Sequence, residues 1–479
     1  MKKAIGVFAA GLALLASPVH AAVTFDFIFD GGAPTSVSND GSVVVGNDGS
    51  FTSFRWTQAT GRVSLGRPQT GGGGGIPGVS ADGTRVGYSI GSLDNTYRTQ
   101  GRWTLGSGWQ ELMPPPPADG GTVDGSYGSA WDISGDGTTV VGLYWRPGQG
   151  NRAHASKWTQ ATGVVDLGGT TTGQASRANG INNDASVIVG WVETPTGPWR
   201  PAAWVNGSLV LLTDYDDSGM FLIGNGEAKA TSRNGDIIVG FATDADSHQR
   251  AASMWRRTDG VYGPTELLGW VDGTEPGSGF SSGGLNIPWA VSDDGSIVVG
   301  YCSFDGSPFN PTGLVWTPST GVIGVNQYLQ DNGVLVDPNF TIENLTAMTP
   351  DGTKIFGYGK MLTPPYTQKA FRITRTGTTA VPSGAQVARL ELRAPSPNPS
   401  SSATRLEFTL PAAASADLSV YDASGRRVAN LLHAEVPAGR QLVTWNGREA
   451  SGHPVAAGLY FARLVTPHGS AMQRIVRVN

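Results

Sequence analysis

The sequence predicts an all-β protein that consists of a seven-bladed β-propeller followed by a small β-sandwich. The 479-residue chain has 69 glycines and only 15% charged residues, which together with many Val, Thr and Trp is typical of short strands joined by tight turns. A four-strand pattern recurs along roughly the first three quarters of the chain, and alternating strands return near the C-terminus. Outside the first 21 residues there is almost no helical periodicity.

The recurring pattern is a β-hairpin around a short turn, as in "AWDISGDGTTVVGLYW" at residues 130–145. Its second strand ends in a glycine in each unit, at Gly46, Gly87, Gly142, Gly190, Gly240, Gly300 and Gly357. An aromatic residue follows each glycine, at Trp56, Trp103, Trp158, Trp204, Trp255, Trp316 and Phe371. The period of about 50 residues is that of a four-stranded blade. Because one such sheet cannot bury both of its faces, we expect seven units to pack in a ring over residues 22–376.

The two ends of the repeat array predict how the ring closes. The seventh unit has a third strand at Lys369–Thr374 but no good fourth strand. The segment Val23–Phe29 has the pattern of a strand and precedes the first unit. We therefore expect this segment to pair with the seventh unit as its outer strand and to protect that edge.

Residues 1–21 have the pattern of a secretion signal, with Lys2 and Lys3, an apolar stretch at Ile5–Leu15 and a small-residue cleavage site. That stretch is too short to span a bilayer and no later one is long enough, so the sequence predicts no transmembrane helix. The formal net charge of −5 argues against nucleic acid as a partner. The single cysteine, Cys302, cannot form an internal disulfide, so stability has to come from packing.

Several repeats resemble the HAF family of extracellular repeats. The matching segments are "NGINNDASVIVGW" at 179–191, "AHASKWTQATGVVDLGG" at 153–169 and "KAFRIT" at 369–374. Residues 324–359 resemble the last unit of such arrays, in which a short helix, here Val325–Asp331, precedes the final blade. The resemblance covers roughly three quarters of the chain. It implies an extracellular repeat propeller and carries no established reaction.

A second domain is predicted at residues 393–479, after a Gly-, Thr-, Ser- and Pro-containing linker at 377–392. Alternating strands fall at Arg405–Leu410, Asp417–Tyr421, Gly439–Trp445 and Gly458–Val465. Short strands separated by turns such as "DASG" and "EASG" predict a small β-sandwich.

This second domain resembles the Ig-like domain of flagellar hook-capping (FlgD-type) proteins, and also the C-terminal sorting domain of type IX secretion cargo. The matching segments are "SVYDASGRRV", "PAGRQLVTWNGR" and "GLYFARL". The resemblance implies an Ig-like domain that addresses a bacterial protein to the cell exterior through the secretion machinery, with anchoring there. The implied sorting signal comprises Gly458, Tyr460, Gly469 and Arg474. The sorting family more often has Lys at the last position, and Arg474 keeps the charge.

The sequence predicts no catalytic residues, no cofactor and no metal site. No histidine outside the leader pairs with a recognisable nucleophile motif, and the glycine run Gly71–Gly75 lacks the rest of a phosphate loop. The turn aspartates could in principle ligate calcium. Because Asp and Gly also fit a hairpin turn, we interpret them as structural. These turn residues are Asp40, Asp82, Asp136, Asp294 and Asp351.

A ligand face is predicted on the rim formed by the loops between second and third strands, together with the connections between units. These are the longest loops, and loops on a rigid scaffold carry function. Exposed aromatic residues there would suit a glycan or protein ligand. The candidate residues are Tyr97, Tyr144, Trp145, Trp199, Phe304, Phe309 and Tyr366.

The leading functional prediction is a secreted or cell-surface, non-enzymatic binding protein with a C-terminal sorting and anchoring module. One alternative is a carbohydrate-active enzyme, a lyase or glycosidase on a propeller scaffold, which would need two carboxylates converging near the channel mouth. The other alternative is a purely structural envelope protein. Propellers host many unrelated functions, so the fold alone does not decide among the three.

Overall fold

The computed structural model describes residues 22–69, 74–113, 127–145, 152–171, 173–195, 197, 199–213, 226–243, 250–271, 285–303, 311–376, 391–392, 395, 398, 400, 403–410, 414–422, 425–436, 439–449, 451, 453–467 and 469–478. The chain divides into two compact units, Met1–Thr378 and Thr379–Asn479. The predicted signal at 1–21, most of the predicted linker, and Phe304 and Phe309 lie outside the described residues. No helix among the described residues is long and apolar enough to cross a membrane.

The first unit begins with β1 (Ala22–Asp30) and then forms seven antiparallel sheets in the described residues, which we number 1 to 7 in chain order. Sheets 1 and 2 consist of β2 (Ala33–Val37), β3 (Val43–Asn47), β4 (Ser53–Thr57), β5 (Gly61–Ser64), β6 (Gly78–Val79), β7 (Arg85–Gly91), β8 (Arg98–Thr104) and β9 (Gly108–Glu111). Sheets 3 and 4 consist of β10 (Gly128–Ile133), β11 (Thr139–Trp145), β12 (Ala153–Thr159), β13 (Gly163–Gly168), β14 (Ser176–Ile181), β15 (Val187–Glu193), β16 (Trp199–Val205) and β17 (Ser208–Leu211).

The remaining sheets follow the same order, except that two short strands share the outer edge of sheet 5. Sheet 5 consists of β18 (Glu227–Thr231), β19 (Ile237–Thr243), β20 (Arg250–Thr258), β21 (Val261–Tyr262) and β22 (Glu266–Gly269). Sheets 6 and 7 consist of β23 (Leu285–Val291), β24 (Val298–Ser303), β25 (Pro311–Thr317), β26 (Gly321–Gly324), β27 (Phe340–Met348), β28 (Lys354–Met361) and β29 (Gln368–Thr376). The helix α1 (Val325–Asp331) lies between β26 and β27, where the sequence predicts it.

The seven sheets form a closed ring. Each sheet packs against the next one along the chain, and β27 and β28 of sheet 7 contact β2 of sheet 1. The strand β1 pairs with β29, from Val23 opposite Arg375 to Asp30 opposite Lys369, so the N-terminal strand completes sheet 7 as predicted. The all-β prediction is confirmed, and a closed ring of sheets around shared inner strands is a β-propeller.

The repeated aromatic residues pack between neighbouring sheets. Trp204 of sheet 4 packs against Val141 of sheet 3, and its Nε1 donates to the carbonyl oxygen of Leu167 at 2.9 Å. Trp255 of sheet 5 likewise packs against Val189 of sheet 4 and is fully buried. A buried indole brings a large apolar area and needs one acceptor for its N–H. These residues therefore hold the ring together and are not exposed for a ligand.

The Asp side chains of the hairpin turns stabilise the turns themselves. Asp40 Oδ1 accepts hydrogen bonds from the Ser38 hydroxyl at 2.6 Å and from the backbone N–H of Ser42 at 2.9 Å. The Ser38 hydrogen bond is the main cause that lowers the pKa of Asp40 to about 2. Similar hydrogen bonds lower the pKa of the equivalent residues Asp82, Asp136, Asp184, Asp294 and Asp351. This geometry supports the structural interpretation of the Asp-Gly turns.

Hydrogen bonds also join these turns to one another around the ring. Each turn except the last donates a backbone N–H to the turn of the following sheet, and the Lys354 ammonium of sheet 7 returns to sheet 1. The links are Asn39 to Ala81, Ala81 to Gly135, Asp136 to Asn183, Asn183 to Arg233, Arg233 to the Asp293 carboxylate, Asp293 to Pro350, and Lys354 to the Asp40 carbonyl. This network closes the ring without a disulfide, and Cys302 is a buried free thiol.

The second unit consists of two antiparallel sheets in the described residues, with strand orders β30-β31-β34 and β33-β32-β35-β36. Its strands are β30 (Glu391–Leu392), β31 (Thr404–Leu410), β32 (Ala414–Asp422), β33 (Arg427–Val436), β34 (Gly439–Trp445), β35 (Gly458–Thr466) and β36 (Gly469–Arg477). A single core, which includes Phe408, Leu418, Trp445 and Leu464, draws side chains from both sheets. The alternation of buried and exposed residues along β35 fits a sheet with one face on this core.

Candidate functional site

The inner strands of six sheets carry a β-bulge at the same place. In β10 the register shifts between Ala130 and Asp132, so Trp131 has no partner on β11. In β18 the shift falls between Ala228 and Ala230 and leaves Lys229 unpaired. A bulge turns its side chain away from the regular alternation of the strand. Here it turns one residue of each of these sheets toward the centre of the ring.

These residues form what we call the bulge ring, which lies three residues before the Ser, Asn or Thr that opens each turn. The bulge ring consists of Thr35, Pro77, Trp131, Asn179, Lys229, Trp289 and Thr346, where Pro77 precedes the short strand β6 without a recorded bulge. All seven line one central cavity of about 130 Å³. The cavity is therefore the channel of the propeller, and each sheet contributes one residue of the bulge ring to it.

A buried ionic network lies on the side of the channel that sheets 4 and 5 form. Glu227 forms ion pairs with Arg177 and with Lys229, the latter at 3.2 Å between Nζ and Oε2. The Asn179 amide donates to Glu227 Oε1 at 2.8 Å and accepts from Arg177 Nε at 2.7 Å. Burial opposes the ionisation of Glu227, but Lys229 and Arg177 outweigh it and lower the pKa of the carboxyl. Glu227 is therefore a charged and fully engaged carboxylate.

Aromatic rings position the cations of this network. The Arg177 guanidinium lies 4.1 Å from the ring centre of Trp131, and the Lys229 ammonium lies 4.8 Å from that of Trp289. Such cation–π contacts are worth about 2 kcal/mol when desolvated. Burial lowers the pKa of Lys229, with Arg177 and Arg250 acting in the same direction and Glu227 opposing them. On this side of the channel, the described residues thus combine aromatic rings with two cations and one carboxylate.

A second charged group lies toward the hairpin-turn end of the channel. The carboxylate of Asp132 accepts the backbone N–H groups of Ile133 at 2.8 Å and of Ile181 at 3.1 Å. Burial raises the pKa of Asp132 to about 6, opposed by these hydrogen bonds and by Arg233. Arg233 Nη2 donates to the carbonyl oxygen of Val37 at 3.2 Å, so its side chain crosses the lumen from sheet 5 to sheet 1.

The five described members of the predicted ligand face do not come together; Phe304 and Phe309 lie outside the described residues. Tyr97 is only 8% exposed, because its ring packs against Tyr127 and Met113 instead of pointing to solvent. Tyr144 is half-buried against the same cluster. These two rings are buried because the aromatic side chains at the strand ends and in the loops pack over the edges of sheets 2 and 3. That outcome corrects the expectation of exposed rings at these two positions.

The other described members of the predicted face are scattered. Trp145 is half-buried at the end of β11. Tyr366 is 62% exposed in the loop between β28 and β29 of sheet 7. Trp199 stacks on Trp191, with ring centres 4.2 Å apart, and Trp191 in turn contacts Arg177. Among these residues, Trp199 is the one that the structure connects to the channel network.

Sequence reasoning missed the bulge ring, although the repeats contain a signal for it. When the seven units are aligned on the first residue of the turn, the position just before it is apolar in six of them. The position three residues before the turn is instead Thr, Pro, Trp, Asn, Lys, Trp and Thr. A polar or aromatic residue at this place in six of the seven inner strands is the signal that the sequence contains.

The residues of the implied sorting signal lie on the last hairpin of the second unit. Tyr460 is buried in the core and its hydroxyl donates to the carbonyl oxygen of Ala456 at 2.9 Å. Arg474 is exposed on β36, opposite Phe461 of β35. Gly458 and Gly469 begin the two strands of the hairpin. Arg474 therefore offers a charged group on the outer face, while Tyr460 stabilises the fold.

Comparisons with known proteins find one family model and several solved structures that are similar to parts of this chain. The FlgD Ig-like domain family matches residues 398–468. A TolB from Acinetobacter baumannii aligns with 14% identity and a TM-score of 0.34 over 50% of this chain and 56% of that chain, so the match spans little more than half of that TolB. The β-propeller domain of the Trilobed protease from Pyrococcus furiosus aligns with 10% identity and a TM-score of 0.43 over 73% of this chain and 98% of that chain.

An oligogalacturonate lyase from Vibrio parahaemolyticus aligns with 12% identity and a TM-score of 0.41 over 75% of this chain and 92% of that chain. No curated protein matches the sequence. At the level of class, the chain is a β-propeller protein whose second unit contains a match to the FlgD Ig-like domain. The propeller assignment rests on the sheet order and ring closure of this chain.

Proposed function

We propose that the chain is a secreted or cell-surface binding protein whose ligand enters the central channel from the side of the long loops. The bulge ring is the observation that carries this proposal. Six inner strands bulge at the same place and turn different side chains into a single lumen. A rigid scaffold that presents varied polar and aromatic groups in one cavity is the usual design of a small-molecule site.

The network around Glu227 supports binding in preference to a purely structural role. A buried ion triad costs desolvation free energy, and apolar residues of similar volume often stabilise a core at least as well. The equivalent positions of the other described sheets carry no such triad. Charges retained in one sector of a repeat protein are therefore best explained by a ligand. Because Glu227 is held by two cations, it is poorly suited to act as a nucleophile or base.

A glycan array with the full chain tests this proposal. We expect binding by the native protein and at least a tenfold loss in Thr346→Trp, because the indole would fill part of the lumen that Lys229 also lines. Leu335→Trp is the matched control, since Leu335 is 92% exposed and lies outside the channel. Equal binding by Thr346→Trp and native protein would place the ligand elsewhere. A silent array for every variant would favour the structural envelope alternative.

A carbohydrate-active enzyme, either a lyase or a glycosidase, is the second candidate, and Asp132 is the observation that favours it. A carboxyl with a pKa of about 6 can donate a proton near neutral pH. The test is the formation of new reducing ends or unsaturated products from the bound glycan. This candidate requires a loss of at least 100-fold in Asp132→Asn, with unchanged turnover in the exposed control Asp337→Asn. Binding without turnover would leave the non-enzymatic proposal standing.

We further propose that the seven sheets are the seven blades of a HAF-type propeller at residues 22–376 and that residues 393–479 form an Ig-like β-sandwich used for type IX sorting and surface anchoring. The closure by β1 and the two-sheet core of the second unit support this division. The FlgD Ig-like match at 398–468 supports the sandwich. Residues 1–21 would act as the secretion signal, which makes the proposed location the exterior of a bacterial cell.

A further inference from the structure

Among the described residues, the charges at the channel mouth do not balance. Arg177 and Lys229 both pair with one carboxylate, that of Glu227, and Arg250 lies close enough to lower the pKa of Lys229. The nearby carboxylate of Glu343 is already paired with Lys360 at 3.0 Å. Asp132 and Asp293 face Arg233 at the other end of the channel. The mouth therefore holds an excess of positive charge with side chains that are mostly removed from water, and such an excess favours an anionic ligand.

The arrangement around the lumen is also one-sided. Sheets 3 to 6 contribute Trp131, Asn179, Lys229 and Trp289 in that order, so two indoles flank an amide and an ammonium. The bulge-ring residues of sheets 7, 1 and 2 are Thr346, Thr35 and Pro77, which carry neither a charge nor an aromatic ring. A ligand that fits this wall has an anionic group for Lys229, flat or C–H-bearing faces for the indoles, and hydroxyl groups for the threonines and the amide.

The size of the cavity and its inner end limit the ligand to one ring. Its volume of about 130 Å³ is below the roughly 300–1,000 Å³ of pockets that enclose drug-sized ligands, so it has no room for several sugar rings. The Arg233 side chain crosses the lumen and bonds to Val37, so a polymer entering from the loop side meets a barrier. The site therefore suits a small molecule or the terminal unit of a chain, and not the interior of a threaded polymer.

We propose that the channel mouth binds a hexuronate, either free or as the terminal unit of an acidic polysaccharide, with Lys229 paired to the carboxylate and Trp131 and Trp289 beside the sugar ring. This inference rests on the proposed binding function and names the ligand class for the same site. The shared chemistry of the two sources is a carboxylate on a hydroxylated six-membered ring.

Calorimetric titration of the full chain tests the ligand class. The probes are sodium galacturonate and sodium glucuronate, with galactose and glucose as neutral counterparts and sodium sulfate as a simple anion. We expect at least one hexuronate to bind at least tenfold more tightly than its neutral sugar, and affinity to fall as NaCl is raised. Equal affinity for acid and neutral sugar, binding of sulfate alone, or no binding of any probe would overturn the hexuronate assignment.

Variants at the mouth connect the result to the proposed residues. Lys229→Met should weaken hexuronate binding at least tenfold, and Lys229→Arg should restore most of it. Lys369→Met removes the same charge from β29, where Lys369 pairs with Asp30 of β1 away from the inner strands, and should leave affinity unchanged. Melting curves check that each variant is folded. Unchanged affinity in Lys229→Met would overturn the role of Lys229.

A uronate polymer distinguishes the two sources. One protein bound per chain end supports recognition of a terminal unit, and binding of the monosaccharide alone supports a free ligand. Protein bound at many places along each polymer chain would overturn the one-ring assignment. These results differ from failure of the proposed function, because a protein that binds neutral glycans in the channel would lose the present inference and keep the binding role.

Discussion

At the scale of single residues, we expect Asp132 in the channel to make the stability of the first unit depend on pH. Its pKa is raised from 3.8 to about 6, chiefly by burial. Ionisation of a group with a raised pKa costs folding free energy, so this cost is absent below about pH 4, grows between pH 4 and 6, and is complete above pH 6. The shift corresponds to about 3 kcal/mol, and the partial exposure of Asp132 reduces this to about 2 kcal/mol.

We expect the native chain to lose about 2 kcal/mol more unfolding free energy between pH 4 and pH 7 than Asp132→Asn loses. Denaturant unfolding of the first unit at the two pH values measures this difference. The turn aspartates have lowered pKa values and titrate below this range, and they are common to both proteins. The altered hydrogen bonds of Asn change the unfolding free energy by the same amount at both pH values. They therefore do not affect the comparison, which is between the changes from pH 4 to pH 7. Parallel pH profiles would contradict the prediction.

Gly78 makes room for Asp132. A Cβ atom at this position would lie 2.3 Å from Asp132 Oδ1, closer than any side-chain contact allows. We expect Gly78→Ala to displace the carboxylate, lower the stability of the first unit by about 1–3 kcal/mol, and reduce ligand binding. Gly263→Ala is the matched control, because its nearest neighbour would be a backbone oxygen at 3.6 Å. Thermal melting of the two variants separates them, and equal melting temperatures would show that Asp132 is not fixed by this contact.

At the scale of elements, β1 determines whether sheet 7 has a covered edge. Phe25 of β1 stacks on Phe371 with ring centres 4.8 Å apart, and Phe27 meets Phe340 edge-on at 4.9 Å. Deleting residues 22–30 removes Phe25 and Phe27. It should therefore expose the unpaired edge of β29 and the rings of Phe371 and Phe340. We expect a fall in melting temperature of at least 10 °C or a loss of cooperative unfolding.

The control for this deletion removes nine residues of the predicted linker, 381–389, and should leave the melting temperature unchanged. Differential scanning calorimetry measures both proteins. If the protein without β1 melts at the temperature of the full chain, pairing of β1 with β29 does not stabilise the ring.

The same scale explains how much of the fold and the site could be predicted. The pattern of Val23–Phe29 and the missing fourth strand of the last unit predicted β1. A sheet that lacks its outer strand leaves an open edge with which one further strand can pair. The bulges could not be predicted, because a bulge is a property of the register between two strands. The sequence correctly predicted that Tyr97 lies in a loop but did not predict its burial. That burial depends on contacts with Met113 and Tyr127, which belong to later segments.

At the scale of the whole molecule, the two units should be separable. The chain divides at Thr378, and the ring of the first unit closes through its own strand β1. We expect removal of residues 393–479 to leave a fragment that unfolds cooperatively within 3 °C of the first transition of the full chain. Calorimetry of fragment and full chain measures this. A fragment without a cooperative transition would show that the second unit is needed for the first to fold.

Arg474 is the residue that tests whether the chain is exported through its second unit, as we propose. Its side chain is exposed on β36, so its removal should change the stability of the second unit by less than about 0.5 kcal/mol. If the last hairpin is a sorting signal, Arg474→Ala should reduce the protein at the cell surface of its native host at least fivefold and leave folded protein in the periplasm.

Two matched variants make this export experiment specific. Arg474→Lys keeps the charge and should be exported normally, whereas Arg463→Ala removes an exposed charge from the neighbouring strand β35 and should have no effect. Fractionation of cells and medium, with protease protection to show folding, measures all three variants. Because the second unit remains folded in each of them, a failure of export would reflect recognition and not loss of structure. Undiminished surface exposure of Arg474→Ala would show that this side chain completes the sheet without addressing the protein.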